Sequence, residues 1–316
     1  MEIDSKILFQ FATNAFERLK FLDEIQTKNE IEKERLQKYK EIYRYVVEKV
    51  PFTILKANRE IPYLHFFYGI TLYYLNKNTQ NKEAKENAIR LIKNAIETSP
   101  PNAIIEYQKQ LLDILINEKK YNDAVILCSQ ILQFFPTDKF YLKLIIDLLQ
   151  KINRIVETLF YAKRLVNIDP FDSEAYFIIG KLNFLNKEYD ESLKMFQKSK
   201  DLDPKNPETY KYIGKLFLLT GKKAIAGSNF KTAVAKKMSN NEQYNKNLKF
   251  GDKSTIKLDP KDDDRNTLVF LFEMYIDLVK CGENFNNELS STEEKLKTKG
   301  FLTKEQIELI KKKNKI

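Results

Sequence analysis

Tryptophan is absent from the 316 residues, histidine occurs once, cysteine twice, and glycine (8) and proline (9) are sparse. Each shortage removes a class of function. Cys128 and Cys281 stand far apart in apolar runs, with no CxxC pair and only His65 to join them. A zinc ligand set therefore cannot be assembled, and each thiol reads as a small core residue. No Gly-rich phosphate loop, HExxH or GxSxG occurs. His65 lies among Tyr63, Leu64, Phe66 and Phe67 without a nucleophile or ligand beside it, and reads as a packing residue. Asp262-Asp263-Asp264 lacks the glycine and distal glutamate of a calcium loop and reads as solvated. No catalytic residue, cofactor site or metal ligand is expected, and the chain is predicted not to be an enzyme.

Arginine is scarce too. Of 54 basic residues only 8 are Arg, although the net charge is +10. Base and phosphate readout favours the planar, bidentate guanidinium, so a lysine excess argues against specific nucleic-acid recognition and leaves a weak attraction to polyanions. The opening Met1-Glu2-Ile3-Asp4 brings acids early and shows no signal pattern. No run reaches the roughly 18 uncharged apolar residues of a membrane span. A soluble cytoplasmic chain is expected.

What is present is 43% hydrophobic and 12% aromatic, too apolar for a disordered chain, and helices can run long between the few glycines and prolines. Pro136, Pro170 and Pro204 are spaced by 34, and Pro100 precedes the first of them by 36. The segments between them match. Asn167-Ile168-Asp169-Pro170 and Asp201-Leu202-Asp203-Pro204 are equivalent ends. Asp172 and Asn206 follow as helix N-caps, with Pro207 at a first helical position where a missing N–H costs nothing. Gly180 and Gly214 leave room for a close second helix. Ser192 then Phe196, and Ala226 then Phe230, put small and large residues four apart on one helical face.

These residues resemble the tetratricopeptide (TPR) repeat family, whose 34-residue unit is a helix–turn–helix. One unit carries Tyr176, Ile179, Gly180, Tyr189, Ser192, Phe196, Ser199 and Pro204. The next carries Tyr210, Ile213, Gly214, Phe217, Ala226, Phe230 and Ala233, with Met238 in place of the proline. Looser units cover 105–138 and 139–172, the latter with Thr158 and Ala162 at the small–large pair. A further unit covers 62–100, with Pro62, Gly69, Ala88, Ile92 and Ala95 in place and a turn lengthened by the polar stretch 76–82. The resemblance implies an all-α helix–turn–helix solenoid, a right-handed superhelix, with helical extensions.

The expected organisation is an N-terminal helical hairpin or cap at 1–61, the repeats at 62–238, a polar linker at 239–265 and a helical segment at 266–316. In the first part, Leu8, Phe11, Ala15, Leu22 and Ile25 share one face, as do Tyr39, Ile42, Val46 and Val50, and Pro51 is expected to end the second helix. Arg18 interrupts a heptad that would otherwise suggest a coiled-coil dimer. Residues 266–281 are apolar on every side, so this helix is either covered by the tail or a docking site through Phe270, Phe272, Tyr275 and Ile276. Thr303 and Gln306 form a capping box before a helix ending in Lys311–Lys313. The stretch 299–307 resembles a short C-terminal oligomerisation motif of some bacterial proteins, which implies homo-oligomers formed through the terminal helices.

In the TPR family the first helix of each repeat lines a concave groove. The matching positions here are Phe140, Lys143, Asp147, Phe177, Lys181, Phe184, Lys211, Tyr212 and Lys215, with Tyr63, Phe66, Phe67 and Tyr74 extending the set. The chaperone-binding subfamily's carboxylate clamp is not reproduced, since Asp147 stands where Asn is needed and no groove Arg matches. The resemblance implies a non-enzymatic scaffold or adaptor holding a protein or peptide segment in an aromatic and basic groove, as in bacterial envelope or motility assembly. A chaperone or co-chaperone for exported subunits and a weak nucleic-acid-binding regulator are the alternatives.

Overall fold

The computed structural model describes residues 5–27, 30–57, 61–249 and 260–313. Among them lie fifteen helices and no strand. The chain divides into two compact units, Met1–Ile152 and Asn153–Ile316.

The first unit contains α1 (Ser5–Glu24), α2 (Glu30–Ala57), α3 (Pro62–Asn76), α4 (Lys82–Thr98), α5 (Pro101–Asn117), α6 (Tyr121–Phe134) and α7 (Lys139–Lys151). The second contains α8 (Ile155–Ile168), α9 (Ser173–Leu185), α10 (Tyr189–Leu202), α11 (Pro207–Leu219), α12 (Lys223–Lys249), α13 (Pro260–Lys280), α14 (Asn286–Thr298) and α15 (Lys304–Lys313). Helices pair into hairpins, α1 with α2, α3 with α4, α5 with α6, α9 with α10, α11 with α12 and α13 with α14. The second helix of one hairpin then packs on the first of the next, as α2 does on α3, α4 on α5 and α12 on α13. The same alternation therefore runs into both flanks.

The expected caps are made. Asp172 accepts from the Ala175 amide at 2.9 Å and Asn206 from Glu208 at 3.0 Å, and Asn81, not expected as a cap, accepts from Ala84 at 3.0 Å, each satisfying an N–H the helix cannot. Thr303 and Gln306 exchange reciprocal bonds of 2.9 and 3.2 Å. Within the hairpins the expected close approach occurs. A Cβ on Gly180 would stand 2.9 Å from the Phe196 ring, and one on Gly214 would stand 2.5 Å from Phe230. Ser192 Oγ donates to the Gly180 carbonyl at 2.7 Å, which ties the small residue to the glycine it faces.

One periodic feature was not legible. Lys119, Asn153, Lys187 and Gly221 recur every 34 residues, all with left-handed φ of 57° to 74°. Lys119, Lys187 and Gly221 sit at the turns within hairpins, and Asn153 in the turn that follows α7. At Lys187 the N–H bonds back to the Phe184 carbonyl while the next amide, Glu188, reaches Asn183, a double closure that consumes orphan carbonyls. Gly221 and, to a lesser degree, Asn153 are residue types that such a backbone favours, and the two lysines are not.

Two expectations need correcting. Pro51 does not end the second helix; it lies inside α2 and is buried. The ring removes one helical bond, but Val47, Ile54 and Leu55 on either side are buried against neighbouring helices, and that burial carries the helix through. Residues 239–249, read as linker, are the last turns of α12. They are polar but hold no Pro or Gly, and polarity alone does not stop a helix. Residues 250–259 of that stretch lie outside the described residues.

Candidate functional site

The groove residues of the second unit come from α9 and α11. Phe177, Lys181 and Phe184 follow one another by four and three residues, so they share a face of α9. Tyr212 of α11 meets this face. Its ring lies 5.7 Å from Phe177 and 5.5 Å from Phe184, both edge-on, and stacks on the buried Phe196 at 5.1 Å. The three rings thus form a continuous wall with Lys181 between the two phenylalanines. The phenol of Tyr212 is pushed up by burial. Lys181 is half-buried and has no hydrogen bond or ion pair among the described residues.

Lys211 and Lys215 stand at the same repeat positions as Phe177 and Lys181, 34 residues on, yet their surroundings differ. Lys211 pairs with Glu208 on its own helix at 2.9 Å and with Glu273 of α13 at 3.3 Å, and its chain lies over the Phe270 ring. Burial works to lower its pKa, but Glu208 and Glu273 outweigh burial and hold the ammonium above its ordinary range. Lys215 faces Asp277 of α13 at 3.9 Å, too long for a hydrogen bond. Asp277 Oδ1 accepts from Lys280 at 3.3 Å, while Oδ2 has no hydrogen-bond partner among the described residues. The Asp277 side chain is only 3% exposed. Burial pushes its carboxyl up against the pull of Lys215 and Lys280, and burial pushes Lys215 down. Two of the expected groove lysines are therefore engaged by the chain's own C-terminal helix.

Phe140, Lys143 and Asp147 lie on α7 in the first unit, all exposed. Phe140 stands edge-on to Tyr141, and Asp147 accepts from Lys151 at 2.6 Å. The extension of the set to α3 is corrected in part. Phe67 is interior against Phe9 and Phe16, and Phe66 stacks on Tyr107 at 3.9 Å. Tyr74 donates to Asp23 at 2.7 Å. These rings hold hairpins together.

The four side chains assigned to a docking helix are also corrected. Phe270, Phe272, Tyr275 and Ile276 are all interior. Phe270 and Tyr275 pack with Ala226, Phe230 and Ala233 of α12, and Phe272 and Ile276 pack with Leu296 of α14 and Ile307 of α15. A helix apolar on all sides is covered on two sides by its own unit, the tail reading of the sequence. The acids Glu273 and Asp277 on the same helix were not singled out from the sequence; their spacing of four, matching that of Lys211 and Lys215, was the available signal.

No group of His, Cys, Asp or Glu among the described residues could hold a metal ion, and none of the described helices is long and apolar enough to cross a membrane. Burial raises the Cys128 thiol to about 12, which leaves it protonated and inert.

No family model matches the sequence, and no curated protein matches it. Solved structures do. The C-terminal part of a TPR repeat-containing protein from Cytophaga hutchinsonii is similar over 95% of this chain and 98% of its own, at 11% identity and a TM-score of 0.55. MamA from Desulfovibrio magneticus RS-1 is similar over 56% of this chain and 96% of its own, at 19% identity and a TM-score of 0.44. YrrB, described as a TPR protein with an unusual peptide-binding site, is similar over 60% and 93%, at 16% identity and a TM-score of 0.44. The likeness to the first of these is one of fold, and it agrees with the glycine–phenylalanine contacts and the recurring turns: the chain has an all-α, tetratricopeptide-type helix–turn–helix fold.

Proposed function

We propose that the chain is a non-catalytic scaffold that holds a segment of another protein on the α9–α11 face of its second unit. The observation that carries this is Lys181, a half-buried lysine on the α9 face between Phe177 and Phe184, whose rings meet Tyr212, with no carboxylate paired to it among the described residues. The hydrogen bonds of this ammonium are left for water or a partner to supply. Rings supply apolar area at small entropic cost, and the ammonium selects a segment with an acidic residue next to an apolar one. Lys211 and Lys215 contribute less, because Glu273 and Asp277 already neutralise them. The setting we propose, a bacterial envelope or motility assembly, follows from the family resemblance alone.

The test is affinity capture of partners by the full chain, repeated with Phe177→Ala and Lys181→Ala. A single stoichiometric partner should be captured, and its affinity should fall at least about tenfold in each variant, as for a residue at the centre of an interface. A partner retained unaltered by both variants would place its site elsewhere.

A further inference from the structure

The N-terminal hairpin carries a surface that the repeat fold uses only at one end, where the half-exposed Phe52 ring meets Tyr68 of α3 at 5.8 Å. One face of α2 is buried, with Val47 against Ala12, Ala15, Phe16 and Leu19 of α1, and Ile54 and Leu55 against Leu64 of α3. A helix of this kind ordinarily turns charged residues to the other side. Here Ile42 is 60% exposed, Tyr45 65% and Phe52 51%. Together with Arg35, Lys38, Lys49 and Lys56 they fall at 35, 38, 42, 45, 49, 52 and 56, alternating steps of three and four. That alternation keeps all seven on one narrow seam, about 32 Å long at the rise of an α-helix. The seam holds three apolar and four basic residues and no acid.

From this pattern we infer that α2 is a docking seam for an acidic amphipathic helix of another protein. The steps of three and four are those by which one helix meets another along its length. The charge decides among occupants. A second copy of this chain would bring the same four cations to the seam, so parallel pairing sets each cation against itself, and antiparallel pairing about the Ile42–Tyr45 midpoint sets Lys38 against Lys49. A lipid surface takes a broad apolar face with cations at its margins, whereas these cations alternate with the apolar residues along the centre. A helix with carboxylates and aliphatic residues at its own seam answers both. Lys38 leans on Glu34 and Lys49 on Glu48, each at 2.8 Å, but such exposed pairs within one helix are weak and exchange readily for an intermolecular partner.

This surface lies in the first unit and is independent of the α9–α11 reading. The experiment uses the full chain and fluorescent helical peptides with Leu and Glu at heptad seam positions, in both sequence directions, and counterparts with Lys for Glu. Anisotropy should show binding of an acidic peptide and none of the basic ones. Lys38→Glu/Lys49→Glu/Lys56→Glu should weaken the acidic peptide at least tenfold and admit a basic one, and Ile42→Ser/Tyr45→Ser should weaken binding without reversing the preference. All five positions are exposed, and far-UV circular dichroism confirms that the variants fold. The same seam-dependent losses should appear in a Phe177→Ala background, where the α9–α11 face is blunted. Equal binding of acidic and basic peptides, or binding of neither, overturns the inference. So does seam-dependent attachment to phosphatidylserine vesicles in place of peptide, or self-association abolished by Ile42→Ser/Tyr45→Ser in sedimentation.

Discussion

The hairpins α9–α10 and α11–α12 are built on one plan and end up with different surfaces. Each puts a glycine against a phenylalanine, at 180 against 196 and at 214 against 230, and each starts from a side-chain cap. Yet Lys181 has no carboxylate paired to it among the described residues, while Lys215, 34 residues later, faces Asp277. The repeat determines how a hairpin closes. What its first helix offers to solvent depends on the next helix along: α13 brings two acids to α11, where α11 brings the Tyr212 ring to α9.

The largest effect should come from breaking that difference at α13. Asp277→Leu takes from Lys215, whose side chain is 20% exposed, its nearest counter-charge and should cost about 2–3 kcal/mol in urea unfolding, less than for a fully buried pair. Lys215→Met/Asp277→Leu should recover most of the loss, because the pair gains little from a 3.9 Å contact and bears its full desolvation. A double variant as unstable as the single one would mean that the pair itself is strongly stabilising.

The closure that both hairpins share gives the next effect. Gly214→Ala and Gly180→Ala should each destabilise by about 1–3 kcal/mol through overpacking, with Gly214 the worse because its added methyl meets Phe230 at 2.5 Å against 2.9 Å to Phe196. Gly214→Ala/Phe230→Leu should regain part of the loss if contact with the ring is the cause.

A smaller effect distinguishes the two lysines by pH. Lys211 has a folded pKa raised above 10.5, so the stability it contributes is complete below 10.5 and is lost as pH climbs through the folded value. Lys215 has a folded pKa below 10.5, so the unfolded chain binds more protons in the interval and folding gains as pH rises toward 10.5. Unfolding measured from pH 8 upward should therefore show the protein gaining on Lys215→Met before 10.5, and its advantage over Lys211→Met shrinking only above it. Equal behaviour of the two variants would remove the distinction drawn between them.

Much of the hairpin closure was legible. Proline phase, the small–large pairs and the Asp172, Asn206 and Thr303 caps are local or periodic, and short-range sterics and hydrogen bonding suffice to read them. The rest depends on residues far apart in the chain. Pro51 reads as a stop because its cost is local, and the burial that overrides it comes from α1 and α3. Leu8, Phe11, Ala15, Leu22 and Ile25 marked nearly the right face of α1, but Phe11 and Ile25 are exposed while Ala12, Phe16 and Leu19 are interior. A stripe with several apolar choices leaves its neighbour to select among them. Lys211 and Lys215 read as groove residues because Glu273 and Asp277 lie some 62 positions further on, outside the periodic segment. Lys181 was named with them, and only the structure separates it from the other two.

The left-handed turns have a use as gauges. Those at Lys119, Lys187 and Gly221, and two more at Gly282 and Gly300, are each shut by an amide reaching five residues back, Lys120 to Leu115, Glu188 to Asn183, Lys222 to Phe217, Glu283 to Leu278 and Phe301 to Leu296. Such a bond breaks when its own turn opens, whether or not the rest of the array has unfolded. Five amides, one per turn, would thus record in hydrogen exchange where along the chain opening begins.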